Sequence, residues 1–185
     1  MILEAIVTTT NKDGLLNVAP MGPLMRDDDD HFELRPFDTS QTYKNLTQNP
    51  IGVLHVTDDV MLFAASAINK LDVAPETSNS TKGGLILDDC CYWMEFAAKE
   101  IQTNSPRKSF HCDITERGNR RRFYGFNRAK HAVLEATILA TRIDFIPIEE
   151  IQSQYQRFAT IVEKTGGDKE IQAFNLLKNF VEVGT

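Results

Sequence analysis

Arg35-Pro36-Phe37-Asp38-Thr39-Ser40-Gln41-Thr42-Tyr43-Lys44-Asn45-Leu46 is the stretch whose reading decides the fold. It continues from His31-Phe32-Glu33-Leu34, where Phe32 and Leu34 share one face of an alternating strand over residues 31–37. Pro36 has no N–H to give a ladder, so the strand stops there. Residues 40–48 then read as a short helix, which Asn49-Pro50 ends because the residue before a proline is pushed out of the α region. A strand end thus delivers a guanidinium, a turn delivers hydroxyls, and a helix opens. The free N–H groups and partial positive charge of a helix start suit a phosphate. Ser40 and Thr42 add neutral donors, and Arg35 adds a charge-assisted, bidentate one. The same residues admit a plainer use, in which Ser40 or Thr42 caps the helix and Arg35 pairs with a carboxylate.

Upstream, residues 4–10 read as a strand closed by the turn cluster Asn11-Lys12-Asp13-Gly14. Residues 15–21 return, and Pro20 interrupts their backbone. A strand broken in this way leaves main-chain donors and acceptors open to a flat heteroaromatic ligand, and the small Ala19 permits close approach. The acidic run 27–30 lacks the alternating ligands, central glycine and distal glutamate of a calcium loop, so it reads as a solvated hairpin turn. Downstream, residues 51–57 form a buried-looking strand, and Asp58 and Asp59 start a helix over 60–68. Residues 75–84, rich in Ser, Thr, Asn and Gly, read as a loop and the most mobile segment. Strands over 91–97 and 109–115 follow. A turn at 116–120, containing Gly118, leads to a further strand over 121–126, and Trp93 and Phe96 are expected in the core. Asn127 caps a helix over 128–141 whose Ala129, Ala132, Ala136 and Ala140 allow tight approach to a sheet. In the tail, Ile148, Ile151, Tyr155, Phe158 and Val162 repeat at helical spacing. Gly166-Gly167 ends that helix, and Asp168 caps a second bearing Ile171, Phe174, Leu177 and Val181, making a helical hairpin.

The chain has 185 residues and a net charge of −6, from 20 basic and 26 acidic side chains. That balance excludes a nucleic-acid backbone or an anionic membrane as the main partner, since both require a basic excess. No apolar run approaches the roughly 20 residues that span a bilayer. Residues 117–122 are basic and precede aromatics, yet their alternation reads as a solvated turn or as charges facing a dimer partner. The N-terminus carries no basic-then-apolar leader, and three cysteines without one point to reduced thiols in a cytoplasm. Neither the four histidines nor Cys90-Cys91 has the spacing of a metal site, and no nucleophile elbow or P-loop is present. The catalytic residues are unknown.

Taken together, Asn17-Val18-Ala19-Pro20, then Thr42-Tyr43-Lys44-Asn45-Leu46, then the strand from Ile51 resemble flavin-reductase-like proteins of the FMN-binding split-barrel superfamily. Val7-Thr8-Thr9, Asn17-Val18-Ala19-Pro20-Met21-Gly22, Leu34-Arg35-Pro36-Phe37, Thr57-Asp58-Asp59-Val60 and Phe126-Asn127-Arg128-Ala129-Lys130 look, in order along the chain, like the family catalogued as domain of unknown function 447. The resemblance implies a mainly β split barrel with a C-terminal helical hairpin, dimerising with FMN near the subunit interface. The barrel would occupy residues 1–146, and the hairpin, residues 147–185, would pack on it. By the same resemblance Asn17, Val18, Ala19, Pro20 and Met21 lie along the isoalloxazine. Arg35, Pro36, Ser40 and Thr42 hold the phosphate end, Tyr43 packs on or near the flavin, and Arg128 is a further candidate. The implied function is non-covalent FMN binding, with a flavin-dependent redox reaction as one reading and a non-catalytic flavin or phosphorylated-ligand module as the other. A setting in one-carbon, methanopterin-type metabolism is conceivable on the first.

Overall fold

The computed structural model describes residues 1–26, 30–101 and 107–183, so most of the acidic run at 27–30 lies outside the described residues. In chain order the elements are β1 (Ala5–Thr10), β2 (Leu16–Met21), β3 (Leu24–Met25), β4 (His31–Leu34), α1 (Gln41–Gln48), β5 (Ile51–Val56), α2 (Val60–Ala67), β6 (Thr77–Asn79), β7 (Leu85–Leu87), β8 (Tyr92–Ile101), β9 (Ser109–Asn119), α3 (Arg128–Ala140), α4 (Ile148–Thr165) and α5 (Asp168–Val183). They form two compact units. One joins Met1–Thr57 to Val73–Phe123, and the other joins Asp58–Asp72 to the chain from Tyr124 onward. The units therefore do not divide at residue 146.

The first unit is a curled antiparallel sheet in the order β2-β1-β5-β8-β9-β4-β3, the split-barrel architecture that the motifs imply. Its ends are drawn together by the residues ahead of β1: Ile2 bridges Leu24, Leu3 N donates to Pro23 O at 3.1 Å, and Met25 N donates to Met1 O at 2.8 Å. The strand alternation sends Ala5, Val7, Phe32, Leu34, Leu54, Met94, Phe96, Phe110 and Cys112 to one side, where Leu46 of α1 joins them. Phe32 and Phe96 meet edge to face, their centroids 5.1 Å apart. Gly52 is required there, because a Cβ on it would fall 2.5 Å from the Phe96 ring.

On the opposite side of the sheet, β6 and β7 form a hairpin where the composition suggests a loop at 75–84. Polar residues build strand here because the anchor is polar too. The fully buried Glu95 accepts hydrogen bonds from Ser80 Oγ, from Gly84 N at 3.2 Å and from Thr115 Oγ1 at 3.0 Å. A register shift between Glu95 and Phe96 leaves Thr115 free to turn toward that carboxylate. The strand also continues through the expected turn at 116–120. Gly118 pairs opposite Trp93, and a Cβ on it would strike the indole at 2.7 Å, so this glycine admits a ring rather than reversing the chain. Residues 121–126 accordingly form no strand. Arg117, Arg120 and Arg121 pair with Asp30, Asp88 and Asp89.

The second unit is helical. Ala129, Ala132, Ala136 and Ala140 do line one buried face of α3, but that face packs among helices rather than on a sheet. Its neighbours include Val60 and Ala64 of α2, Ile151, Tyr155 and Val162 of α4, and Phe174, Leu177 and Val181 of α5. Asn127 caps α3 by accepting from Lys130 N at 3.1 Å, and its amide also donates to Thr165 O at the end of α4. Asp59 caps α2 through Met61 N and Leu62 N. At α5 the cap differs from expectation: Asp168 is already helical, and Glu170 reaches back to accept from Gly167 N at 2.9 Å. No described helix is long and apolar enough to cross a membrane.

Candidate functional site

Helix α1 lies against β1 and β2, and the sequence says why. Thr42, Asn45 and Leu46 recur at i, i+3 and i+4, and all three are buried. Leu46 enters the apolar core, while the two polar residues meet the sheet through hydrogen bonds. Thr9 Oγ1 accepts from Asn45 Nδ2 at 3.0 Å and from Asn17 Nδ2 at 3.1 Å. Asn17 Nδ2 also reaches Thr42 Oγ1 at 3.3 Å. This polar clasp ties the start of β2 to the first turn of α1. The proline-broken strand and the helix mouth are therefore neighbours.

β2 is the edge strand, paired only with β1, with Pro20 opposite Ile6 and Ala19 opposite Val7. All six of its residues, Leu16 to Met21, are half-buried, so the strand is neither solvated on all sides nor sealed. Pro20 is tolerated because an edge strand needs no second ladder. Asn17, Ala19 and Met21 share the face toward α1 by alternation, and Met21 reaches the barrel core. Val18 and Pro20 take the other face.

At the helix mouth Ser40 is the cap. Its Oγ accepts from Tyr43 N at 3.2 Å and donates to Phe37 O at 2.7 Å. Half of the plainer use of this segment is thus realised. The other half is not: Arg35 is half-buried and makes no ion pair or side-chain hydrogen bond among the described residues. Pro36 is buried beside it. Tyr43 packs its ring 5.9 Å from that of Phe110, and its hydroxyl donates to Glu100 Oε1 at 3.3 Å. Partial burial first, and then the Glu100 charge, hold its phenol above the ordinary range.

Arg128 is the first residue of α3, exposed, in the helical unit. Sequence reasoning passes over two residues beside the helix mouth. Phe37 pairs across an isolated bridge with Arg107, whose guanidinium carbon lies 4.5 Å from the ring centroid. The signal available was small: a basic pair, Arg107-Lys108, ahead of the strand that pairs with residues 31–34.

Solved structures share the fold. An FMN-bound protein from Methanosarcina mazei, of family DUF447, superposes with a TM-score of 0.83 at 24% identity, covering 97% of this chain and 94% of that one. An FMN-binding protein from Thermus thermophilus gives 0.55 at 13% identity over 64% of this chain and 70% of that one. A putative flavin reductase from Haemophilus somnus gives 0.52 at 16% identity over 66% and 81%. None of the curated proteins matches the sequence. Residues 3–121 match the N-terminal domain described as protein of unknown function DUF447, and residues 127–179 match the C-terminal domain of the same description. With barrel and helical unit both accounted for, the chain belongs to the DUF447 family.

Proposed function

We propose that this protein binds FMN non-covalently, with the isoalloxazine along Asn17, Val18, Ala19, Pro20 and Met21 and the phosphate at Arg35, Pro36, Ser40 and Thr42. The observation that carries the reading is Arg35. A guanidinium withdrawn halfway from water and without a carboxylate among the described residues forfeits solvation for nothing, unless an anion completes it. It stands two residues before the Phe37–Ser40 turn that opens α1, and the clasp brings the open edge of β2 to the same place. The residues present therefore fit a phosphorylated ring compound. Tyr43 would support the flavin from the barrel side. A role for Arg128 rests on the family resemblance alone. The FMN-bound relative from Methanosarcina mazei supports this choice of ligand.

The flavin, when bound, supplies the electron-accepting chemistry. The protein's part is orientation and electrostatics. We read the protein as a homodimer and a flavin-dependent oxidoreductase, its three buried, unbridged thiols suited to a reducing cytoplasm. One observation favours a non-catalytic carrier instead: Asn17, Ser40, Thr42 and Asn45 are all engaged in holding α1 to the sheet, leaving no acid or base among them.

The test is a visible-absorbance titration of the purified protein with FMN and with riboflavin, followed by anaerobic addition of NADH or NADPH. Perturbed flavin bands with FMN tighter than riboflavin are expected. Absence of binding by either flavin contradicts the proposal. Bleaching by a nicotinamide donor beyond a protein-free control supports the enzyme, and inertness supports the carrier. Light scattering after gel filtration is expected to give twice the 20.9 kDa chain mass.

A further inference from the structure

We infer that Thr9 is the positioning residue of the site: its buried hydroxyl sets the gap between β2 and the first turn of α1 across which the flavin binds. The inference rests on the FMN reading above and deepens it.

Thr9 sits on β1 opposite Asn17 of β2 and opposite Gly52 of β5. Alternation puts it on the same side of the sheet as Ala5 and Val7, the side that receives Leu46 of α1. It is only 2% exposed, so the residue has no surface to give a ligand. Its Oγ1 accepts from Asn17 Nδ2 at 3.1 Å and from Asn45 Nδ2 at 3.0 Å. A hydroxyl oxygen has two lone pairs, and here each is taken by a carboxamide from a different wall of the site. One wall is β2, with the ring residues; the other is α1, which opens at Ser40 and Thr42. A single oxygen that bonds both walls holds them two hydrogen-bond lengths apart.

The grip extends from Thr9 into both walls. On α1, Asn45 Oδ1 accepts from Gln41 Nε2 at 2.6 Å, so the hold on Asn45 passes back one turn to the first residue of the helix. On β2, Asn17 spends both protons of its amide, one on Thr9 Oγ1 and one on Thr42 Oγ1 at 3.3 Å. An amide held by both protons cannot turn over, and Oδ1 is the polar atom it presents to a ring N–H. The far end of α1 has an anchor of its own: Asn49 Nδ2 donates to Thr10 Oγ1 at 3.0 Å, and Leu46 lies in the core. The helix therefore stays docked without the Thr9 oxygen, and what that oxygen adds is the fixed spacing at the end where the ligand binds. A site held open at the right width does not have to be ordered by the ligand, which strengthens binding.

The experiment is a set of fluorescence titrations of the full chain with FMN and with riboflavin, for the wild type, Thr9→Val, Thr9→Ser and Thr10→Val. Far-ultraviolet circular dichroism checks each fold. Thr9→Val keeps the shape and removes the shared acceptor; it is expected to weaken FMN by roughly ten-fold and riboflavin by at least about three-fold, since both walls lose their spacing. Thr9→Ser, which restores the oxygen, is expected to bind both flavins within about two-fold of wild type. Thr10→Val, which cuts the tie to Asn49 at the other end of α1, is expected to stay within about two-fold as well. A folded Thr9→Val with wild-type affinities, a serine variant as weak as the valine one, or equal losses in Thr9→Val and Thr10→Val overturn the inference while the FMN reading stands. If Thr9→Val does not fold, Asn45→Leu, which takes one wall off the same oxygen, carries the test: weaker FMN binding supports the inference and wild-type affinity overturns it. A wild type that binds no flavin overturns both.

Discussion

His55 is fully buried on β5, and its two ring nitrogens fix its state. Leu87 N donates to Nε2 at 3.0 Å, so that nitrogen carries no proton; the proton is on Nδ1, facing Ile6 O at 3.2 Å. Burial lowers the imidazole pKa to about 4, only partly opposed by the Ile6 carbonyl. Unfolded, the ring titrates near 6.5, so below that pH the unfolded chain binds the extra proton and the folded chain does not. The stability is complete above about pH 6.5 and is lost as the pH falls toward 4. Between pH 7 and pH 5 this one group is expected to cost about 2 kcal/mol. Urea unfolding at the two pH values measures it, and His55→Gln is expected to flatten that part of the profile. A wild-type profile no steeper than that of the variant would assign the acid sensitivity elsewhere.

The ends of α2, α3 and α5 are joined by charge. Lys130, in the first turn of α3, lies 2.6 Å from Asp58 ahead of α2 and 3.9 Å from Glu170 in α5. The Asp58 side chain is only 6% exposed, so its carboxylate depends on that cation far more than a surface ion would. Lys130→Met is expected to lower stability by about 2 kcal/mol, and adding Asp58→Asn to recover roughly half, since the second change removes the stranded charge. Chemical denaturation of the three variants measures the coupling, and simple additivity would show that the pair contributes little. These caps were legible beforehand: Asp59 and Asn127 stand where a short oxygen-bearing side chain precedes an apolar run. The β6–β7 hairpin was not legible, because its anchor, Glu95, lies on another strand. Nor was the length of β9, since Gly118 looks like a turn until Trp93 is seen lying across it.

At the scale of the whole molecule, the barrel could be read because alternation and Pro36 mark its strands locally and the quoted motifs add a resemblance. The partition could not be read. Helix α2 lies between two barrel strands in sequence, yet it joins the helices of the second unit through Val60 and Ala64. The alanine face of α3 states how closely something packs, not what packs there. At the site, sequence assigned Asn17 and Thr42 to the two ends of one ligand and did not foresee that they would hydrogen-bond to each other. That contact makes the Thr42-x-x-Asn45 motif a docking face as well as a phosphate candidate. Arg35 carries the central claim because it has no other partner among the described residues. Calorimetric titration of wild type and Arg35→Ala with FMN and with riboflavin tests that claim most directly. The account predicts that the variant loses at least about ten-fold in FMN affinity while riboflavin changes by less than about two-fold. Equal losses for the two flavins, or none for either, would contradict it.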